Sequence, residues 1–136
     1  MPLVLDASVA ACWAFPDERD ARAEETLARV RTEEVVVPSL WWFEIRNILV
    51  VNERRKRISE SGTARFLRAL SKLRLRVDRE PVEAAVLKLA RTHRLTVYDA
   101  SYLELALREA APLATLDTDL ASAARAEGAT LVGVVR

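Results

Sequence analysis

The chain has 136 residues, of which 51% are hydrophobic and 30% charged, and its formal net charge is +1. That length holds one ordinary domain with a real core rather than two, and the balance excludes general disorder. The near-neutral charge excludes a bulk polycation, so any nucleic-acid surface has to come from local arrangement.

In chain order, Leu3-Val4-Leu5 reads as a short buried strand that runs straight into Asp6. Ser8 is the expected cap of a helix carrying Val9, Ala10, Ala11, Cys12 and Trp13, which must stop near Pro16. A second helix is predicted from about Asp20 to Arg31, with acids early and Ala23, Leu27 and Val30 at helical spacing. Val35 to Val37 form a second strand, and Pro38-Ser39 open a helix from about Leu40 to Arg55. That helix is apolar on more than one face, which predicts a central or interfacial position. Glu44 inside it is conspicuous, because a buried unpaired carboxylate is costly. The basic run Arg54-Arg55-Lys56-Arg57 at its far end is accounted for by helix-end solubility and the helix dipole.

A further helix is predicted over Glu60 to Lys72, with Phe66, Leu67 and Leu70 inward. Leu73 to Val77 alternate apolar and basic residues, as an edge strand does. Asp78 is the expected cap of a helix beginning near Glu80-Pro81 and ended by Arg91-Thr92-His93-Arg94. Leu95 to Val97 read as a short extended piece, and Asp99 to Arg108 as a helix closed near Pro112. Strand Leu113 to Leu116, helix Thr118 to Glu127 stopped by Gly128, and strand Thr130 to Val134 complete the chain.

Strands alternating with helices predict an α/β domain spanning residues 1–136, with a mostly parallel central sheet covered on both faces in three α/β/α layers. Cys12, the one cysteine, cannot form an internal disulfide and reads as a core residue. His93 is the one histidine, which leaves no histidine-rich zinc site and no supported Ser-His-Asp triad. The three glycines form neither a Walker loop nor a Rossmann fingerprint. Trp13, Trp41 and Trp42 read as core or subunit-interface packing ahead of a stacking surface. No basic leader and no membrane-length apolar stretch is present, so the expected location is cytoplasmic.

The chemistry lies in four acids. Asp6 and Asp117 stand at the ends of predicted strands, where ligands gather in such sheets. Glu44 and Asp99 lie close behind the apolar runs Val35 to Val37 and Leu95 to Val97. Carboxylates brought together repel one another unless protonated or neutralised, and a hard divalent cation is the natural neutraliser. Asp6, Asp99 and Asp117 are the leading ligand candidates. Glu44 completes the coordination or acts through a metal-bound water, and Asp119 is an auxiliary acid. Taken singly, Asp99 and Asp117 also fit helix-capping roles; the joint arrangement is what points to an active site. Ser8 and Thr115 fit support rather than nucleophilic catalysis.

These residues carry a resemblance. Leu3-Val4-Leu5-Asp6-Ala7-Ser8-Val9 resembles the opening of PIN domains, and Pro38 to Asn47, around Glu44, resembles their second acidic motif. Thr96-Val97-Tyr98-Asp99-Ala100-Ser101-Tyr102 resembles the third motif, and Leu113 to Leu120, with Thr115, Asp117 and Asp119, the fourth. The order and spacing are most similar to the VapC-like toxin ribonucleases of type II toxin–antitoxin pairs. The resemblance implies a compact three-layer α/β/α PIN-like domain and endonucleolytic RNA cleavage dependent on Mg2+ or Mn2+. It implies catalytic and metal-binding roles for Asp6, Glu44, Asp99 and Asp117. It also implies a homodimer held in check by a cognate antitoxin protein, with no membrane partner. Arg46, Arg54, Lys56 and Arg57 are the candidate RNA contacts. The competing readings are a PIN-domain RNA-processing nuclease without a toxin role and a catalytically silent PIN-like binder. A dehalogenase-like phosphohydrolase is disfavoured because Ser8 stands where a second acid is needed.

Overall fold

The computed structural model describes residues 2–133. Its elements are β1 (Leu3–Leu5), α1 (Ala7–Cys12), α2 (Ala21–Val30), β2 (Val35–Pro38), α3 (Leu40–Arg54) and α4 (Glu60–Leu70). There follow β3 (Leu75–Asp78), α5 (Glu83–His93), α6 (Val97–Glu109), β4 (Leu113–Ala114) and α7 (Thr118–Ala126). The strands form one sheet in the order β3-β2-β1-β4, and every pairing is parallel. Parallel strands need helices on both faces, and the fold is the predicted α/β/α arrangement. β1, β2 and β4 are wholly buried, which is why they read as unbroken apolar runs. β3 lies at the edge and is only half-buried, in keeping with its alternating sequence.

Four expectations are corrected. Asp78 does not cap a helix: it ends β3, and α5 begins only at Glu83, with Val82 at its N-cap. Pro81 disfavours helical backbone in the residue before it, while Arg108 occupies the Asp78 carboxylate with two hydrogen bonds of 3.0 and 2.8 Å. Leu95 to Val97 forms no strand: Thr96 is extended, but as the N-cap of α6, and Val97 already lies in that helix. Arg94 turns left-handed at the end of α5 with φ 53°, and Thr96 caps α6 by accepting the Asp99 amide. The strand expected to reach Leu116 stops at Ala114. The last predicted strand contributes one parallel bridge, Leu131 to Leu113, and Val134 lies outside the described residues.

α3 is not central. It buries Trp41, Ile45, Leu49 and Asn52 along one stripe, while Trp42 is 51% and Phe43 69% exposed. Trp41 and Trp13 pack inward as expected, with the Trp13 indole donating to the Ala23 carbonyl at 2.9 Å, and Cys12 is buried. Among the described residues, no helix is long and apolar enough to cross a membrane.

The edge strand is tied to α6 by charge. Arg108 forks onto Glu104 within its own helix and onto Asp78 at the end of β3, and Arg76 joins Glu34 to Glu109. The Glu104 side chain is only 3% exposed, so losing its partner strands a buried charge. Arg108→Ala is expected to lower stability by about 3 kcal/mol in urea unfolding. Arg108 also holds the Asp78 carboxyl below its usual range, chiefly by hydrogen bonding. A depressed folded pKa gives stability that is present above the unfolded value and lost as pH falls through the folded one. The gap between wild type and variant should therefore narrow in acid below about pH 4.

Candidate active site

β1 and β4 are neighbours, with Leu5 paired to Ala114, so the residues that follow each strand emerge together. The Asp6 amide donates to the Ala114 carbonyl at 2.9 Å and fixes the start of the site. The Asp6 side chain is nearly closed off from water, at 6% exposure. Its Oδ2 accepts two hydroxyl hydrogen bonds, from Thr115 at 2.6 Å and Ser8 at 2.9 Å. Each hydroxyl in turn accepts a backbone N–H from the β4–α7 loop: Asp117 donates to Thr115 at 3.0 Å and Leu116 to Ser8 at 3.1 Å. Ser8 is therefore not the helix cap expected of it. Asp6 takes the N-cap position, and Ser8 lies inside the first turn, turned back onto that carboxylate.

The remaining acids come from three other helices. Asp117 is the N-cap of α7, and its Oδ2 accepts the Leu120 N–H at 2.7 Å. Asp119 lies in the same first turn. Asp99 lies in the first turn of α6, its amide held by the Thr96 hydroxyl at 3.1 Å. Glu44, half-buried on α3, accepts a 2.6 Å hydrogen bond at Oε1 from the phenol of Tyr102 on α6. Tyr102 was not among the sequence-predicted site residues. Its spacing was the available signal, since a residue three after Asp99 shares that face of a helix.

The electrostatics join the acids. Burial raises the Asp6 carboxyl above its usual range, the two hydroxyls pull it back, and Asp117 adds to the rise. Burial also raises Glu44, against the Tyr102 hydrogen bond, with Asp6 and Asp99 adding to it. Asp99 is raised by burial and by its neighbours Asp117 and Asp6. Burial drives the Tyr102 phenol far above the ordinary range, so it is a neutral donor at any working pH. Among the described residues, none of Asp6, Glu44, Asp99, Asp117 and Asp119 forms an ion pair.

Among the described residues, the basic candidates make no ion pair with these acids. Arg54 is ten residues beyond Glu44, roughly 15 Å along the helix axis, and it and Lys56 are exposed. Arg57 is engaged with Asp17 and Glu18 and stands over the Phe15 ring at 4.6 Å. Arg46 stacks on Trp42, with its guanidinium 3.9 Å from the ring centre. His93 bonds Glu127 at 2.6 Å, joining the end of α5 to the end of α7.

The donor set suits a hard cation: carboxylate oxygens, no nitrogen or sulfur, and uncompensated negative charge. Among the described residues, no three such side chains form a ready-made ion cage. Mg2+ does not need one, because it commonly takes one or two carboxylates and keeps several waters. Asp6, Glu44 and Asp117 each have one oxygen engaged by the fold, which leaves the other oxygen of each for a ligand.

The sequence profile described as PIN domain matches residues 3–126. Ribonuclease VapC3 of Pyrobaculum aerophilum is 34% identical over 125 residues, which cover 89% of this chain and 93% of that protein. The crystal structure of PAE2754 from Pyrobaculum aerophilum is 25% identical, with a TM-score of 0.68 over 90% of this chain and 87% of that one. FitAcB from Neisseria gonorrhoeae shares the fold at 19% identity, with a TM-score of 0.67 over 98% of this chain and 97% of that one.

Three raised carboxyls oppose folding of the metal-free protein. A raised folded pKa means the folded state holds a proton that the unfolded chain releases, so stability falls as pH rises from the unfolded value through the folded one. Asp99→Asn removes one such group. In EDTA at pH 7 it should melt roughly 2–5 °C above wild type, and the advantage should fade as the pH falls below about 4, the ordinary value of an aspartate carboxyl. Added Mn2+ should raise the melting temperature of wild type more than that of the variant. Calorimetry across pH, with and without the ion, reads all three effects.

Proposed function

This chain belongs to the PIN-domain family and is a toxin-like PIN nuclease, and from that premise we propose that it hydrolyses RNA phosphodiester bonds internally, with Mg2+ or Mn2+ as cofactor. The observation that carries the reading is the Asp6 carboxylate, buried, held by two hydroxyls, and surrounded by acids that, among the described residues, no cation neutralises. A purely structural aspartate has no use for that company.

Asp6, Asp99 and Asp117 would hold the ion, with Glu44 completing its surroundings. When bound, the ion supplies polarisation of the scissile phosphate and a lowered pKa for the attacking water. The chain supplies order. Ser8 and Thr115 lock the Asp6 carboxylate in one orientation, and the Leu120 amide does the same for Asp117. Burial of Asp6 lowers the local dielectric, which strengthens every electrostatic contact with an incoming phosphate. Single-stranded or looped RNA fits best, because its phosphates are free to enter a narrow site. Arg46, Arg54 and Lys56 are proposed to guide the backbone; Arg57, already committed to Asp17 and Glu18, is the weakest of the four.

We place the protein in a toxin–antitoxin pair in the cytoplasm, as a homodimer restrained by a cognate antitoxin protein. The exposed Trp42, Phe43 and Val50 of α3 support a protein partner, since clustered apolar side chains in solvent mark interaction surfaces.

Purified protein incubated with a mixed RNA pool should give discrete fragments with Mg2+ or Mn2+ and none with EDTA. Asp6→Asn should lose about 100-fold or more of the cleavage rate, with its fold retained by circular dichroism. The fragments should carry 5′-phosphate and 3′-hydroxyl ends. Ends bearing 2′,3′-cyclic phosphate would overturn the hydrolytic mechanism, because they require attack by the ribose rather than by water.

A further inference from the structure

Glu44 is the acid with the least local reason to stay where it is. It reaches the site from α3 on a flexible side chain; among the described residues no cation pairs with it, and its side chain accepts a hydrogen bond only from Tyr102, 58 residues away in sequence. We propose that Tyr102 is a positioning residue, whose phenol holds the Glu44 carboxylate in the orientation that receives the metal ion. The proposal rests on the nuclease reading above and adds a residue that reading does not use.

Three observations carry it. The Tyr102 side chain is completely buried, at 0% exposure, so its hydroxyl is a fixed point rather than a mobile one. The hydrogen bond is short, at 2.6 Å, as expected for a neutral hydroxyl on a carboxylate. Tyr102 also follows Asp99 by three residues on α6, so one rigid helix places the Asp99 carboxylate itself and the Glu44 carboxylate through the phenol. The bond occupies Oε1 and leaves Oε2 for the ion. Partners of this kind behind metal-binding side chains are commonly worth 10–100-fold in metal affinity or activity.

A tyrosine that merely fills the core would look similar in a static structure, so the test has to separate the two roles. Mn2+ binding to the whole chain is titrated by electron paramagnetic resonance of the free ion, without RNA, for wild type, Tyr102→Phe, Glu44→Gln and the double variant. Tyr102→Phe keeps the ring and removes one oxygen. Its expected effect is about a tenfold loss of Mn2+ affinity, with kcat for RNA reduced and KM unchanged. On the Glu44→Gln background the same substitution should change Mn2+ affinity by less than about twofold, because the two residues act as one unit. Tyr102→Phe binding Mn2+ like wild type would overturn the proposal, as would an equal loss on both backgrounds. If Tyr102→Phe does not fold, Glu44→Asp keeps the charge and shortens the reach to the phenol. It should show a similar loss of affinity, and wild-type affinity there would overturn the proposal. Wild type that binds Mn2+ yet leaves RNA intact would overturn the nuclease reading alone, with the binding cycle still deciding the role of Tyr102.

Discussion

The parallel pairing of β1 with β4 is the constraint on which the site depends. It puts Asp6 beside the loop that carries Thr115, Leu116 and Asp117, and it is what allows a nearly buried carboxylate to exist there at all. An aspartate withdrawn from water without partners would be prohibitive. Two hydroxyls meet the cost part of the way, one from α1 and one from the loop, and each is oriented by a backbone N–H of that loop. A slip of one residue in the pairing would turn the Asp6 side chain to the other face of the sheet and dissolve the arrangement.

The uncompensated acids do not reflect a shortage of cations. With a net charge of +1, the chain holds 21 lysines and arginines against 20 acids. Its arginines are used elsewhere: Arg108 and Arg76 hold the edge strand, Arg57 holds the segment after α1, and Arg29 pairs with Glu33 on and just beyond α2. Among the described residues, the fold distributes its ion pairs away from the place where these acids crowd. A sequence selected for stability alone would not leave that conflict in place, and such conflicts are expected where function competes with stability.

What was legible in the sequence follows the same logic. Buried parallel strands read as short apolar runs, so β1, β2 and β4 and the acids that follow β1 and β4 could be placed from the sequence. The misreadings were local contests that residue type does not decide. Asp78 and Ser8 both have side chains that cap helices, yet the first was claimed by Arg108 and the second by Asp6, partners 30 and 2 residues away. Leu95 to Val97 has the composition of a strand, and what prevails is the left-handed turn at Arg94 followed by the Thr96 cap. For α3, the number of apolar residues suggested a central or interfacial helix, and their angular spread, which leaves Trp42 and Phe43 in solvent, excludes only the central position. Tyr102 was invisible for another reason: a buried tyrosine is ordinary until the acceptor of its hydroxyl is known.

The anchoring pattern explains how four separated acids can share a small volume without distorting the fold. Asp6 is tied through its Oδ2 to two hydroxyls, Asp117 through its Oδ2 to a helix amide, and Glu44 through its Oε1 to a phenol. The hydroxyl tethers are donors, so they stabilise the charged forms of Asp6 and Glu44, while burial and the neighbouring acids oppose them. For Asp6 and Glu44 the opposing effects prevail, and their carboxyls remain above their usual range. The residual repulsion is therefore not removed by the protein's own hydrogen bonds. It persists as a preference for whatever positive charge enters, held in a geometry that the sheet and three helices have already fixed.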